Sequence, residues 1–122
     1  VTLVSWGAMM HETIEAADEL AAQGVKAEVI DVATLKPLDS ATIVESVSKT
    51  GRCVIVHEAA RTAGFGAEIA AIIGEQALTS LLAPVQRVAG YDVVVPLARL
   101  ERQYLPSVKR IVAAARAALE WA

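Results

Sequence analysis

Apolar and polar positions along the chain follow two rhythms that take turns. Val1 to Ser5 is a short apolar strand, and Val25 to Val32, "VKAEVIDV", returns to strand alternation. Cys53 to His57 is apolar at every position up to the histidine, which is how a strand buried on both faces reads. Val85 to Ala89 is a fourth strand. Between these runs the period lengthens. Ala8 to Gln23 carries Met10, Ile14, Ala17 and Ala21 at helical spacing, Glu12, Glu15, Asp18 and Glu19 fill other positions, and Gly24 stops the helix. After the turn "LKPLD", Asp39 or Ser40 caps a helix through Lys49 that Gly51 ends. Ala67 to Leu82 is a helix closed by Pro84; its apolar residues spread beyond one face, so it requires cover on two sides. Gly90 to Leu105 is irregular, with one helical turn near Arg99 to Gln103. Ser107 then caps a last helix with the stripe Val108, Ile111, Val112, Ala115 and Leu119.

Strands that alternate with helices across short turns make βαβ units, hence a mostly parallel sheet with helices on both faces. The predicted fold is a three-layer αβα sandwich in a single domain over residues 1–122. The chain starts at Val1 and enters a strand at once, so it reads as a fragment of something longer. Its mean hydropathy of +0.47 is high for a small domain, and surplus apolar surface of this kind often belongs to an interface. Glu, Gln or Arg interrupt every apolar stretch before membrane-spanning length, and no basic segment precedes one, so neither a span nor a signal peptide is expected. With 11 basic residues scattered among 14 acidic ones and a net charge of -3, nucleic acid is not an expected partner. The lone Cys53 sits in an apolar run, which suits a small core residue in a reducing compartment.

The chemistry concentrates in "VIVHEAARTAGFGAEIAAII", Val54 to Ile73. His57-Glu58 starts like the zinc motif HExxH, but the second ligand position is Arg61 and the segment follows a strand. "GFGAEI" starts like a dinucleotide fingerprint, but Ile69 replaces the third glycine and no acidic ribose partner follows at a strand end. No Gly-Lys-Ser/Thr P-loop and no Gly-x-Ser-x-Gly nucleophile turn exists, and His11 falls on a polar helix face beside Glu15. What survives is a polar set, His57, Glu58 and Arg61, outside the carboxyl end of a central parallel strand, where open α/β sheets place their working loops. Such a loop contacts a ligand or another chain.

"HEAARTAGFGAEIAA" resembles the signature of the C-terminal domain in the beta subunit of thiamine diphosphate-dependent 2-oxoacid dehydrogenases, of pyruvate or branched-chain type. "VSWGAMMHETIEAADELAAQGVKAEVIDVATLKPLD" and "VQRVAGYDVVVPLARLERQYLPSVKRIV" look like the same domain, so the resemblance covers essentially the whole chain. Ala60, Ala63 and Val93 depart from the proline, glycine and threonine common there. The resemblance implies a transketolase C-terminal domain-like fold with a five-stranded sheet, the fifth strand falling in Gly90 to Leu105. It implies a parent enzyme, bacterial cytoplasmic or mitochondrial, that decarboxylates a 2-oxo acid on thiamine diphosphate with Mg²⁺ and acylates a lipoyl group. The cofactor would be held elsewhere, by an alpha subunit and an upstream pyrimidine-binding domain, and this chain alone would be inactive. Its implied role is assembly, with the alpha subunit, a second beta subunit and the peripheral subunit-binding domain of the acyltransferase as partners. Two residue groups are expected to serve it: His57, Glu58, Arg61 and Phe65, and, on the last helix, Arg116, Glu120 and Trp121 with the terminal carboxylate. The rival readings are a transketolase-type or acetoin-cleaving enzyme and a free-standing interaction module.

Overall fold

A computed structural model of the chain describes residues 1–121. Four strands, β1 (Thr2–Ser5), β2 (Glu28–Asp31), β3 (Cys53–Ala60) and β4 (Gln86–Gly90), form one sheet in the order β2-β1-β3-β4, and every pairing is parallel. The helices are α1 (Met9–Ala22), α2 (Ser40–Thr50), α3 (Gly66–Gln76), α4 (Ala98–Tyr104) and α5 (Val108–Leu119), with a 3₁₀ turn at Leu78–Ser80.

Alternation along the central strands builds two cores. Leu3, Val54 and Val56 point to one face and meet Leu20 of α1 and Ile111 and Ala115 of α5. Val4 and Ile55 point to the other and meet Ile43 and Val47 of α2 and Ile69 and Ile73 of α3. β3 lies between both cores, so its apolar run needs no polar face. Asp39 caps α2 as expected, accepting from the Thr42 N–H at 3.1 Å, and Gly51 ends that helix at φ 70°. Ser107 caps α5 by accepting from the Arg110 N–H at 3.3 Å.

Three expectations are corrected. The sheet has four strands among the described residues, not five. In the region assigned to the fifth, the Val93 N–H donates to the Tyr91 carbonyl at 2.8 Å, closing a tight turn, and Val93, Val94 and Val95 are exposed; β-branched residues with no neighbouring strand gain nothing from extending. The buried stripe of α1 is Met9, Thr13, Ala16 and Leu20, one residue from the expected one, and Ile14 is half exposed. Thr13 tolerates that position because its hydroxyl donates to the Met9 carbonyl at 2.7 Å. Finally, α3 stops at Gln76 rather than Leu82, and the chain continues as the 3₁₀ turn.

Candidate functional site

The carboxyl ends of β1, β3 and β4 share one edge of the sandwich, and the first residue beyond each strand's core decides what stands there. In β3 the buried run ends at His57, and Glu58 is exposed. His57 itself is 1% exposed and its ring lies flat on Trp6, the residue after β1, with centroids 5.4 Å apart and planes 13° apart. Phe65 meets the same indole edge-on at 6.0 Å. The glycine pair now has a physical cause. A Cβ on Gly64 would sit 2.6 Å from His57 Cε1, and one on Gly66 would sit 2.5 Å from Cδ2. The turn passes directly over the imidazole, and only residues without a side chain fit.

Neither nitrogen of His57 has a hydrogen-bond partner among the described residues. Burial lowers its pKa from the usual histidine value and the cation of Arg87 lowers it further; the Ala59 backbone opposes this weakly, without reaching hydrogen-bond geometry. Burial and the Arg87 cation thus both favour the uncharged imidazole, which lies enclosed between Trp6 and the glycine turn.

The exposed residues around it are held tightly. Arg61 donates from Nη1 to the Arg87 carbonyl at 3.1 Å, and Arg87 donates from Nη1 to the Arg61 carbonyl at 3.2 Å, a reciprocal clasp. The Arg61 N–H adds a bond to the Gly90 carbonyl at 3.1 Å. Asp92 accepts from the Thr62 N–H at 2.9 Å and from its hydroxyl at 2.6 Å, and the hydroxyl first, then the N–H, hold the Asp92 carboxyl below the usual carboxylate range. Beyond Asp92, Arg110 gathers the chain. It donates to the carbonyls of Ala89 at 2.6 Å and Leu105 at 3.3 Å while its guanidinium stacks 4.6 Å over the Tyr91 ring. The loops after β3 and β4 form one pinned platform.

His57, Glu58, Arg61 and Phe65 thus come together on that platform, with His57 beneath it and Glu58 and Arg61 on its surface. Arg116, Glu120 and Trp121 do not join them. α5 starts beside Ala89 through Arg110 and ends where Arg52, just before β3, donates from Nε to the Ala118 carbonyl at 2.9 Å, so the second group lies at the opposite end of the strands. There Arg116 donates to the Gln23 side chain, Glu120 is exposed and Trp121 is 55% exposed. The expected contribution of Ala122 and its carboxylate lies outside the described residues.

Sequence reasoning missed Trp6, Thr62, Arg87 and Asp92. Position was a signal for three of them: Trp6 follows β1, Thr62 follows β3 and Asp92 follows β4, all at carboxyl ends of adjacent parallel strands, whereas Arg87 lies at the start of β4 and nothing local marks it. Elsewhere, His11 is exposed, and Cys53 is fully buried with its thiol pushed up to about 12 by desolvation. Among the described residues no group of three or more His, Cys, Asp or Glu side chains is placed to hold a metal ion. No helix among them is long and apolar enough to cross a membrane.

Comparison with known proteins places this architecture. The chain is 48% identical over 121 residues to the "Pyruvate dehydrogenase E1 component subunit beta" of Staphylococcus epidermidis, a match covering 99% of this chain and 37% of the relative. The proteins of the same name from Bacillus subtilis and Staphylococcus aureus are 46% and 44% identical over the same length, again 99% of this chain and 37% of each relative. This chain therefore spans little more than a third of the curated relatives it matches. A solved structure described as "Split gene transketolase, inactive beta4 tetramer" superposes with a TM-score of 0.84 at 34% identity, covering 98% of this chain and 38% of that one. A model of the family described as "Transketolase, C-terminal domain" matches residues 1–111, and with the parallel four-stranded sandwich this shows that the chain belongs to the transketolase C-terminal domain family.

Proposed function

We propose that the chain is the assembly domain of a 2-oxoacid dehydrogenase beta subunit of pyruvate or branched-chain type, one domain of a longer protein. The observation that carries this reading is the 44–48% identity, over 121 residues, to bacterial subunits of that name. The parent enzyme oxidatively decarboxylates a 2-oxo acid on thiamine diphosphate with Mg²⁺ in the bacterial cytoplasm and passes the acyl group to a lipoyl arm. This chain's own residues do not fit that cofactor. The glycine turn that would cradle a pyrophosphate is filled by the His57 ring, and the described residues offer no metal cluster.

What the residues suit is contact with other chains. Glu58 and Arg61 are exposed on a platform stiffened by the Arg61–Arg87 clasp and the Thr62–Asp92 bonds, so little side-chain or loop freedom is lost when a partner lands on it. His57 and Phe65 serve from below by fixing Trp6 and the turn. The alpha subunit and a second beta subunit are the proposed partners at this end. Arg116, Glu120 and Trp121 form a separate site for the peripheral subunit-binding domain of the acyltransferase, where an exposed indole with charges around it has the makeup of a binding hot spot. A transketolase-type parent is the second reading; the 34% identity to a split-gene transketolase supports it less than the higher identities support the first.

Calorimetric titration tests the proposal. The chain is expected to give heat with the alpha subunit and with the peripheral subunit-binding domain, the latter lost in Trp121→Ala, and none with thiamine diphosphate and Mg²⁺. Heat from the cofactor and none from either protein would overturn it.

A further inference from the structure

The two edges of the sheet are finished differently. At β4 the Gly90 carbonyl accepts from the Arg61 N–H after β3, so Gln86, Val88 and Gly90 serve β3 while the carbonyls of Arg87 and Ala89 point outward. Both outward carbonyls are capped by guanidinium groups. Arg61 Nη1 donates to that of Arg87 at 3.1 Å, and Arg110 Nη2 to that of Ala89 at 2.6 Å. An incoming strand finds these acceptors taken, which is how an edge is protected from pairing.

At β2 the opposite holds. Glu28 and Val32 donate to the carbonyls of Val1 and Ser5, each at 2.9 Å, so alternate residues serve β1 and the main chain of Val29 and Asp31 turns to the open side. Among the described residues no strand and no side chain bonds to those outward N–H and C=O groups. A groove runs beside this edge, between β2 and α2. Its middle, at Thr42, Glu45 and Ser46, is a hollow of about 340 Å³. It continues at the carboxyl end into a hollow of about 140 Å³ at Asp31 and Asp39, and at the amino end into one of about 360 Å³ at Lys26 and Thr50. The groove therefore follows the whole length of the unpaired strand.

Charge selects the occupant. The groove is lined by four carboxylates, Glu28, Asp31, Asp39 and Glu45, against two ammonium groups, Lys26 and Lys49. Lys49 is already 3.3 Å from Glu28, and beyond that pair the carboxyl-end half is acidic only. A second copy of this chain would lay one acid-rich groove against another; a basic segment meets opposite charge. We infer that the open edge of β2 takes an extended basic segment of another protein as an added antiparallel strand, its leading Lys or Arg residues over Asp31 and Asp39 and its β-branched residues beside Val29 and Ile30. This goes beyond the assembly reading, which uses neither β2 nor α2.

Amide hydrogen exchange of the 122-residue chain, followed by NMR with and without a probe at about 1 mM, tests the inference. The probe is the peptide acetyl-Lys-Lys-Val-Thr-Val-Thr-Val-amide. It is expected to slow exchange at Val29 and Asp31 at least about 10-fold, with no change at Glu28, whose N–H is bonded to Val1 already. Replacing both probe lysines by glutamates is expected to weaken binding at least about 10-fold, by like-charge repulsion. Asp31→Pro removes one outward N–H and one carboxylate at the end of an edge strand, leaves the β1 bonds intact, and is expected to abolish protection of Val29. Methylating alternate backbone nitrogens of the probe checks the same bonds without touching the protein: one of the two alternate sets is expected to abolish binding. No protection at Val29 and Asp31, equal binding by the glutamate probe, or equal binding by both methylated sets overturns the inference. Protection that appears without the probe and grows with protein concentration also overturns it, because a second copy then occupies the edge.

Discussion

Replacing Gly66 by alanine is the most direct test of why this chain carries a glycine turn after its third strand. The new Cβ would lie 2.5 Å from His57 Cδ2, 2.6 Å from Nε2 and 3.2 Å from Ile55 Cγ2. The ring cannot retreat, because its far face rests on Trp6 and it is 1% exposed. Overpacking of this kind costs about 1–3 kcal/mol. Alanine is the better helix former, but Gly66 is the first residue of α3, where less than the ~1 kcal/mol interior advantage applies. The net expectation for Gly66→Ala is a loss of about 1–2 kcal/mol. In a His57→Ala background the same methyl enters vacated space and gains up to about 0.8 kcal/mol from burial, so the coupling between the two sites is about 2 kcal/mol. Urea unfolding followed by circular dichroism reads all four corners of the cycle, with an unchanged slope as the check that the same transition is compared. Additivity of the two substitutions within about 0.5 kcal/mol would refute the argument that the imidazole is what demands the glycine.

Three further outcomes follow from the same geometry. Because His57 has a folded pKa below its unfolded value of about 6.5, the unfolded chain binds more protons in the window between the two; stability falls as pH drops below about 6.5, and His57→Gln should flatten this slope in chemical unfolding. Cys53, buried and with its thiol pushed up to about 12, should resist alkylation at pH 8 until the chain unfolds; stoichiometric native labelling within minutes would contradict the burial. Ala63 sits at φ 58°, a left-handed conformation costing a residue with a Cβ about 1–2 kcal/mol, so Ala63→Gly should stabilise by about 0.5–1 kcal/mol after the larger unfolded-state entropy of glycine is offset; a lower melting temperature would show that its methyl makes contacts of greater worth.

Much of the fold was legible, for reasons that differ by element. β3 declared itself through an unbroken apolar run because it has a core on each side, and α2 through a capping aspartate and a terminal glycine, both local devices. The α1 face was misread by one position because Thr13 looks polar in sequence and is apolar in effect once its hydroxyl bonds within its own helix. Gly90 to Leu105 reads as irregular in sequence, and only the resemblance implied a fifth strand there; the exposed Val93–Val95 run has no pleated, half-buried surface beside it to join.

The candidate site divides along the same line. Sequence by itself determined that His57, Glu58, Arg61 and Phe65 lie together at a strand end, because four chemically conspicuous residues within nine positions cannot be far apart. It also determined the family, because whole-chain pattern carries that information. Only the tertiary structure decided that His57 lies beneath the surface against Trp6, that Arg61 is clasped by Arg87, that Asp92 ties the two loops, and that Arg116, Glu120 and Trp121 stand at the other end of the sheet. Those contacts join residues from 26 to 66 positions apart for every hydrogen bond among them, and no local rule of spacing reaches across strands whose neighbours are fixed by sheet order rather than by chain order.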